Sequence, residues 1–146
     1  MSLDPSDPKH LRYMEFLEHK IKSNSFINSK NARLASALVY KGDIVSTGFN
    51  EKRTHPFQQK FSSTIHNIYL HAETNAIRLG VRFLSDRELE KSILYICRLS
   101  YEDTNKKKMF WNLAHPCNGC IRCISSFGIR KVVYTTGNNL HPLEVL

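Results

Sequence analysis

The chain has no apolar run approaching the ~20 residues of a membrane-spanning helix. Its start also lacks the basic-then-apolar pattern of a secretion signal. These absences exclude a helical membrane span and make a cytoplasmic protein the expectation. There is no internal repeat and no low-complexity tract, which excludes a solenoid array and a long disordered linker. Acidic residues are comparatively few: 13 Asp and Glu against 21 Lys and Arg, a formal charge of +8. That excess favours a phosphate-bearing partner, either nucleotide or polynucleotide, although a solvated basic surface gives the same number. Cysteine is limited to four positions, Cys97, Cys117, Cys120 and Cys123. They would pair as disulfides in a secreted protein; in a reducing compartment a Cys-x-x-Cys near a His-x-Glu reads better as a metal site. What remains is ordinary for a soluble domain, 41% hydrophobic and 23% charged. At 146 residues one domain buries roughly two-thirds of its unfolded surface.

Along the chain, residues 1–9 read as a flexible lead-in and 10–146 as the working domain. Met14, Leu17 and Ile21 recur at helical spacing, which predicts an amphipathic helix over His10–Ile21. Ser23–Lys30 reads as a loop. The apolar runs Arg33–Tyr40 and Ile44–Phe49, joined by Lys41-Gly42-Asp43, predict a β-hairpin. Asn50–Tyr69 is polar and mixed, a long loop with room for a short helical piece; a loop of that length in a small domain is usually functional. Leu70–Leu79 reads as a helix stopped by Gly80, and Ser92–Leu99 as a central strand covered on both faces. Ser100–His115 reads as a second long loop. Cys117–Phe127 is the third helix, closed by Gly128, and Lys131–Thr135 the last clear strand. The order α-β-β-α-β-α-β predicts a mixed sheet between helical layers.

Two motifs carry chemistry. His71-Ala72-Glu73 opens one helix, and Pro116-Cys117-Asn118-Gly119-Cys120 opens another. A catalytic zinc takes three protein ligands and keeps its fourth position for water. His71, Cys117 and Cys120 supply the three, and Glu73 is left over as a general acid/base. Cys117 and Cys120, three apart, would present both sulfurs from the first helical turn, with Pro116 suited to a helix start. Free N–H groups and the helix dipole there favour thiolates over thiols. Cys123, one turn on, is either a fourth ligand closing a structural site or, with Cys97, a small core residue.

This His-x-Glu…Pro-Cys-x-x-Cys pattern is the signature of zinc-dependent nucleobase deaminases. The chain resembles the cytidine/deoxycytidylate deaminase superfamily from about Arg33 to Thr135. It is most similar to the short deoxycytidylate-deaminase-like proteins, often phage- or virus-encoded. The run His71-Ala72-Glu73-Thr74-Asn75-Ala76-Ile77 and the long insert between Asn50 and His71 carry that likeness. The resemblance implies an α/β fold of three α-β-α layers, with a mixed sheet of four to five strands, the last reduced or formed by His141–Leu146. It implies Zn2+ as cofactor, cytosine-to-uracil hydrolysis and a homo-oligomer. It carries Asn50, in Gly48-Phe49-Asn50, over as a contact to base or sugar, and the Ala72 backbone N–H as a contact to the pyrimidine's exocyclic oxygen. Where the family usually has Thr-Leu-x-Pro or Glu-Pro before the first Cys, this chain has Ala114-His115-Pro116.

Arg53 follows Asn50 closely enough to meet the phosphate of the same ligand. Lys60, Lys106, Lys107 and Lys108 are further candidates, or solvated charges. His55 and His66 are candidates for a second zinc, or polar loop residues. The expected reaction is deamination of a (deoxy)cytidine nucleotide, dCMP to dUMP first among them. Alternatives are a polynucleotide deaminase, in which Phe110 and Trp111 would stack on bases, and a nucleoside or free-base deaminase. An alternative of another class is a non-catalytic zinc module binding nucleic acid.

Overall fold

The computed structural model describes residues 3–23, 33–51, 55–62, 70–101 and 108–146. Helix α1 (Pro8–Ser23) begins two residues before the expected start, because Asp7 caps it. The Asp7 carboxylate accepts the Lys9 N–H at 3.0 Å, and Pro8 occupies the first helical position, where no N–H is needed. Its apolar stripe buries Met14, Leu17 and Ile21, as the spacing predicts.

Strands β1 (Arg33–Tyr40) and β2 (Asp43–Phe49) form the expected antiparallel hairpin. Its two-residue turn has Lys41 at φ 51° and Gly42 at φ 82°, the left-handed pair that matches the twist of the flanking strands. Strand β3 (Ile93–Tyr101) pairs antiparallel with β1 on one side. On its other side it pairs parallel with β5 (Lys131–Thr135) and, further along, antiparallel with β4 (Met109–Asn112). Strand β6 (Leu143–Val145) adds antiparallel to β5, within the window expected for a last strand.

Among the described residues the sheet is therefore mixed and six-stranded, in the order β2-β1-β3-β5-β6 with β4 beside β3. The expectation of four to five strands is one short because Met109–Asn112 lies inside a segment read as loop. Four residues at an edge show too little alternation to be told from loop. Helices α2 (Pro56–Phe61) and α4 (Asp86–Lys91) complete the chain with α3 (Ala72–Gly80) and α5 (Asn118–Ser126). Among the described residues no helix is long and apolar enough to cross a membrane.

Alternation along β1 and β3 divides the core into two layers. Ala35, Ala37, Val39, Tyr95, Cys97 and Leu99 meet Met14, Leu17 and Ile21 of α1. Leu38, Leu94 and Ile96 face the other way and pack with Ala76 and Ile77 of α3, Leu89 of α4, and Cys123 and Ile124 of α5. This is the expected three-layer α-β-α arrangement, and it puts the starts of α3 and α5 on the same face.

Gly80 does not stop α3 as expected; the helix runs through it and caps at Val81. A Cβ there would lie 2.6 Å from Leu38 Cδ2 and 2.8 Å from Ser46 Oγ, so glycine lets the helix end settle on the hairpin.

Candidate metal centre

Both chemical motifs lie at helix N-termini, but each helix starts one residue later than its first ligand. His71 is the N-cap of α3 and Cys117 the N-cap of α5; both are extended, with ψ of 159° and 169°, and neither side chain caps its helix. Cys117 is thus outside the helical turn that was expected to contain it, and Pro116 precedes the cap. Because neither side chain is spent on capping its helix, imidazole and sulfur remain available to a ligand.

The two helix starts converge. His71 Nδ1 lies 3.2 Å from Cys120 Sγ and 3.5 Å from Cys117 Sγ. All three ligand atoms fall within 4.8 Å of one another. A tetrahedral zinc, with Zn–S of ~2.3 Å and Zn–N of ~2.0 Å, places its ligand atoms roughly 3.5–3.8 Å apart. The donor set and its spacing fit that ion. Cys120 is buried, whereas His71 and Cys117 are half-buried, so the centre lies at the edge of the core.

The electrostatics agree. The Cys120 thiol and then His71 donate toward Cys117, pulling its pKa down to about 3. The neighbouring Cys117 sulfur and burial push Cys120 upward. Cys117 in turn holds the His71 pKa above its ordinary value. Cys123 belongs to none of this. It is fully buried in the core, and burial raises its pKa to about 12. Cys97, on the opposite face, is likewise raised to about 12 by burial. Among the described residues the ligand group therefore has three members, not the four of a closed site.

Glu73, second residue of α3, is 5% exposed, and its Oε1 has no hydrogen-bond partner among the described residues. Burial is the largest influence on its carboxyl and raises its pKa, with the Cys120 thiol beside it acting the other way. Asn50 follows the end of β2, its Oδ1 accepting the Leu34 N–H at 3.1 Å. Gly48 explains how that strand end reaches the centre. A Cβ at residue 48 would lie 2.6 Å from the Ala72 carbonyl oxygen and would overlap the Ala76 nitrogen, so only glycine lets β2 lie directly on α3. Ser46 Oγ donates to the Ala76 carbonyl at 2.6 Å, and Asn75 Nδ2 to the Phe49 carbonyl at 3.2 Å, locking the two together. Ala72 opens α3, so its N–H has no intrahelical acceptor.

Other expected residues fare differently. Arg53, His66, Lys106 and Lys107 lie outside the described residues. His55 caps α2, its Nδ1 accepting the Phe57 N–H at 3.1 Å. Lys60 and Lys108 are exposed. Trp111 is half-buried against the α1 layer and donates from Nε1 to Glu18 at 2.9 Å, a contact that fixes the indole instead of offering it to a base. Sequence reasoning missed Gln58, wholly buried on α2, whose Oε1 accepts the His71 N–H at 3.1 Å and the Thr74 hydroxyl. No local signal in the sequence connects residue 58 to residue 71.

The sequence model of the cytidine and deoxycytidylate deaminase zinc-binding region matches residues 8–136. No curated protein matches the chain. Among solved structures, the dCMP deaminase of cyanophage S-TIM5 in its apo form is 21% identical, with a TM-score of 0.55, over 90% of this chain and 85% of that one. The same phage enzyme in complex with dCMP and dUMP is 18% identical, with a TM-score of 0.53, over 90% and 83%. A cytidine deaminase from Burkholderia pseudomallei is 13% identical, with a TM-score of 0.59, over 94% and 91%. At these identities the three share the fold.

Proposed function

The chain belongs to the cytidine and deoxycytidylate deaminase family of zinc-dependent enzymes, and from that premise we propose that it converts dCMP to dUMP. In this reading His71, Cys117 and Cys120 hold the zinc, and Glu73 is the catalytic acid/base. Asn50, the Ala72 N–H and Arg53 bind the nucleotide, Arg53 at the phosphate. The observation that carries the reading is the convergence of one imidazole and two sulfurs beside a buried carboxyl group with an unpartnered oxygen.

When bound, zinc supplies a Lewis acid that makes water nucleophilic near neutral pH. The chain's own residues do the rest. The Ala72 N–H and the Asn50 amide orient the ring so that carbon 4 faces the centre. Glu73 takes a proton from the attacking water and delivers it to ring nitrogen 3; it then takes the second proton from the new hydroxyl on carbon 4 and passes it to the departing amine. Cytosine and water become uracil and ammonia. A carboxyl whose pKa is raised by burial is suited to carrying a proton both ways.

The nucleotide reading is supported by the charge of +8 and by the phage enzyme's complex with dCMP and dUMP. In this reading the protein acts in the cytoplasm as a homo-oligomer. Ammonia release is to be followed from dCMP, dCTP, cytidine, free cytosine, guanine and a cytosine-containing single strand. The expected result is fastest release from dCMP; activity on the single strand alone overturns the assignment.

A further inference from the structure

Helix α2 lies in the insert between Asn50 and His71, a segment that supplies none of the proposed ligands. Both of its ends nevertheless reach the helices that do. At α3 the contact is Gln58. A capping box uses a Glu or Gln at the third helical residue to accept the N-cap's own backbone N–H. Helix α4 has one, Glu88 accepting the Ser85 N–H at 2.9 Å. In α3 the third residue is Thr74, whose side chain is too short to accept that bond. Gln58 accepts it from another helix, taking the His71 N–H at 3.1 Å, and the Thr74 hydroxyl donates to the same oxygen. The N-cap backbone is thereby fixed while the His71 imidazole is left to face the two sulfurs.

At α5 the contact is the end of α2. The Phe61 carbonyl accepts from Arg122 Nε at 2.9 Å and also from Nη2. A Cβ at Gly119 would sit 3.3 Å from that same carbonyl oxygen, so α2 rests on the turn that carries Cys120. Stacking of Phe57 on Phe127, with ring centroids 5.8 Å apart, closes the contact from the far end of α5.

Resting on the reading of His71, Cys117 and Cys120 as zinc ligands, we propose that α2 is a positioning strap for the metal centre. Gln58 sets the backbone of His71, and the Phe61–Arg122 contact sets the first turn of α5. The separation of imidazole and sulfurs is then fixed before metal arrives. Gln58 is a positioning residue, acting through His71, with no part in proton transfer. Outer contacts of this kind typically change metal affinity by about 10- to 100-fold.

The test measures zinc affinity by chelator competition and, separately, the absorption spectrum of the cobalt(II)-substituted protein. Gln58→Leu keeps the volume and loses the acceptor; zinc affinity is expected to fall about 10- to 100-fold, with shifted cobalt bands. Gln58→Glu keeps the acceptor, and zinc affinity and cobalt spectrum should stay near those of the parent. Arg122→Met, at an exposed position, should weaken zinc by a smaller factor and decides the matter if Gln58→Leu does not fold. Parental zinc affinity and cobalt spectrum in Gln58→Leu and Arg122→Met, with only a lowered Tm, would make α2 mere packing and overturn the proposal. Equal losses in Gln58→Glu and Gln58→Leu would overturn it too. A parent protein that binds no zinc removes the ligand reading itself, and the strap with it.

Discussion

His10 on the buried side of α1 and Glu73 at the start of α3 lie on opposite faces of the sheet, and they share more than either shares with the surface. Each is almost inaccessible, and each keeps one polar atom, His10 Nε2 and Glu73 Oε1, without a partner among the described residues. Burial pushes each toward its neutral form, lowering the His10 pKa and raising that of Glu73. The surroundings differ. His10 Nδ1 meets one Tyr95 hydroxyl at 2.7 Å, and the charges that act on it are those of Asp7, Lys9 and Asp4. Glu73 stands beside an imidazole and two sulfurs delivered by two separate helices. Two desolvated ionisable groups thus differ in what converges on them: a single hydroxyl at His10, and a group able to hold a metal at Glu73.

The comparison can be broken most forcefully at the ligands. Cys120→Ser should abolish stoichiometric zinc binding. In the parent, free zinc at 1,000 times its Kd stabilises by about 4 kcal/mol, so chelation should lower the parent's Tm and leave the variant's unchanged. Equal Tm shifts in both would count against the centre. Next in size, Glu73→Gln should retain zinc by metal analysis while turnover falls at least ~10²-fold, about 2.7 kcal/mol of barrier. A variant that kept both would return Glu73 to the class of His10.

The smallest effect sharpens the other side. Because the folded-state pKa of His10 is depressed, the unfolded chain binds the proton more readily. Stability is then full above the unfolded value near 6.5 and is lost as pH falls below it, at up to about 1.4 kcal/mol per pH unit. Denaturant midpoints should therefore drop from pH 7 to pH 5. His10→Gln should flatten that slope without altering kcat/KM.

How much of this was legible in the sequence follows the range of the forces involved. The hairpin was readable because Lys41-Gly42 dictates its turn locally. That His71, Cys117 and Cys120 come together was readable because His-x-Glu and Cys-x-x-Cys carry their chemistry in residue type and spacing. Helix α4 left a readable signal in Ser85 and Glu88, three apart, that went unused. Strand β4 left almost none, since Met109–Asn112 exists by pairing with the far end of β3. The helix starts at Ala72 and Asn118 were misplaced because apolar periodicity does not mark where an extended cap gives way to the first turn. Gln58 was invisible for a deeper reason: its role depends on two helices meeting, and nothing near residue 58 encodes that meeting.

The missing Cβ at Gly48 has a consequence for how such a centre would adapt. With β2 seated on α3 and bonded to it through Ser46 and Asn75, strand and helix form one stiff block carrying both Asn50 and Glu73. Under the proposed function, the grip on the pyrimidine and the relay of its proton would keep a constant offset whatever else the nucleotide bears. Tolerance for sugar or phosphate variants would have to evolve in the neighbouring insert, leaving the arithmetic of the ring chemistry unaltered.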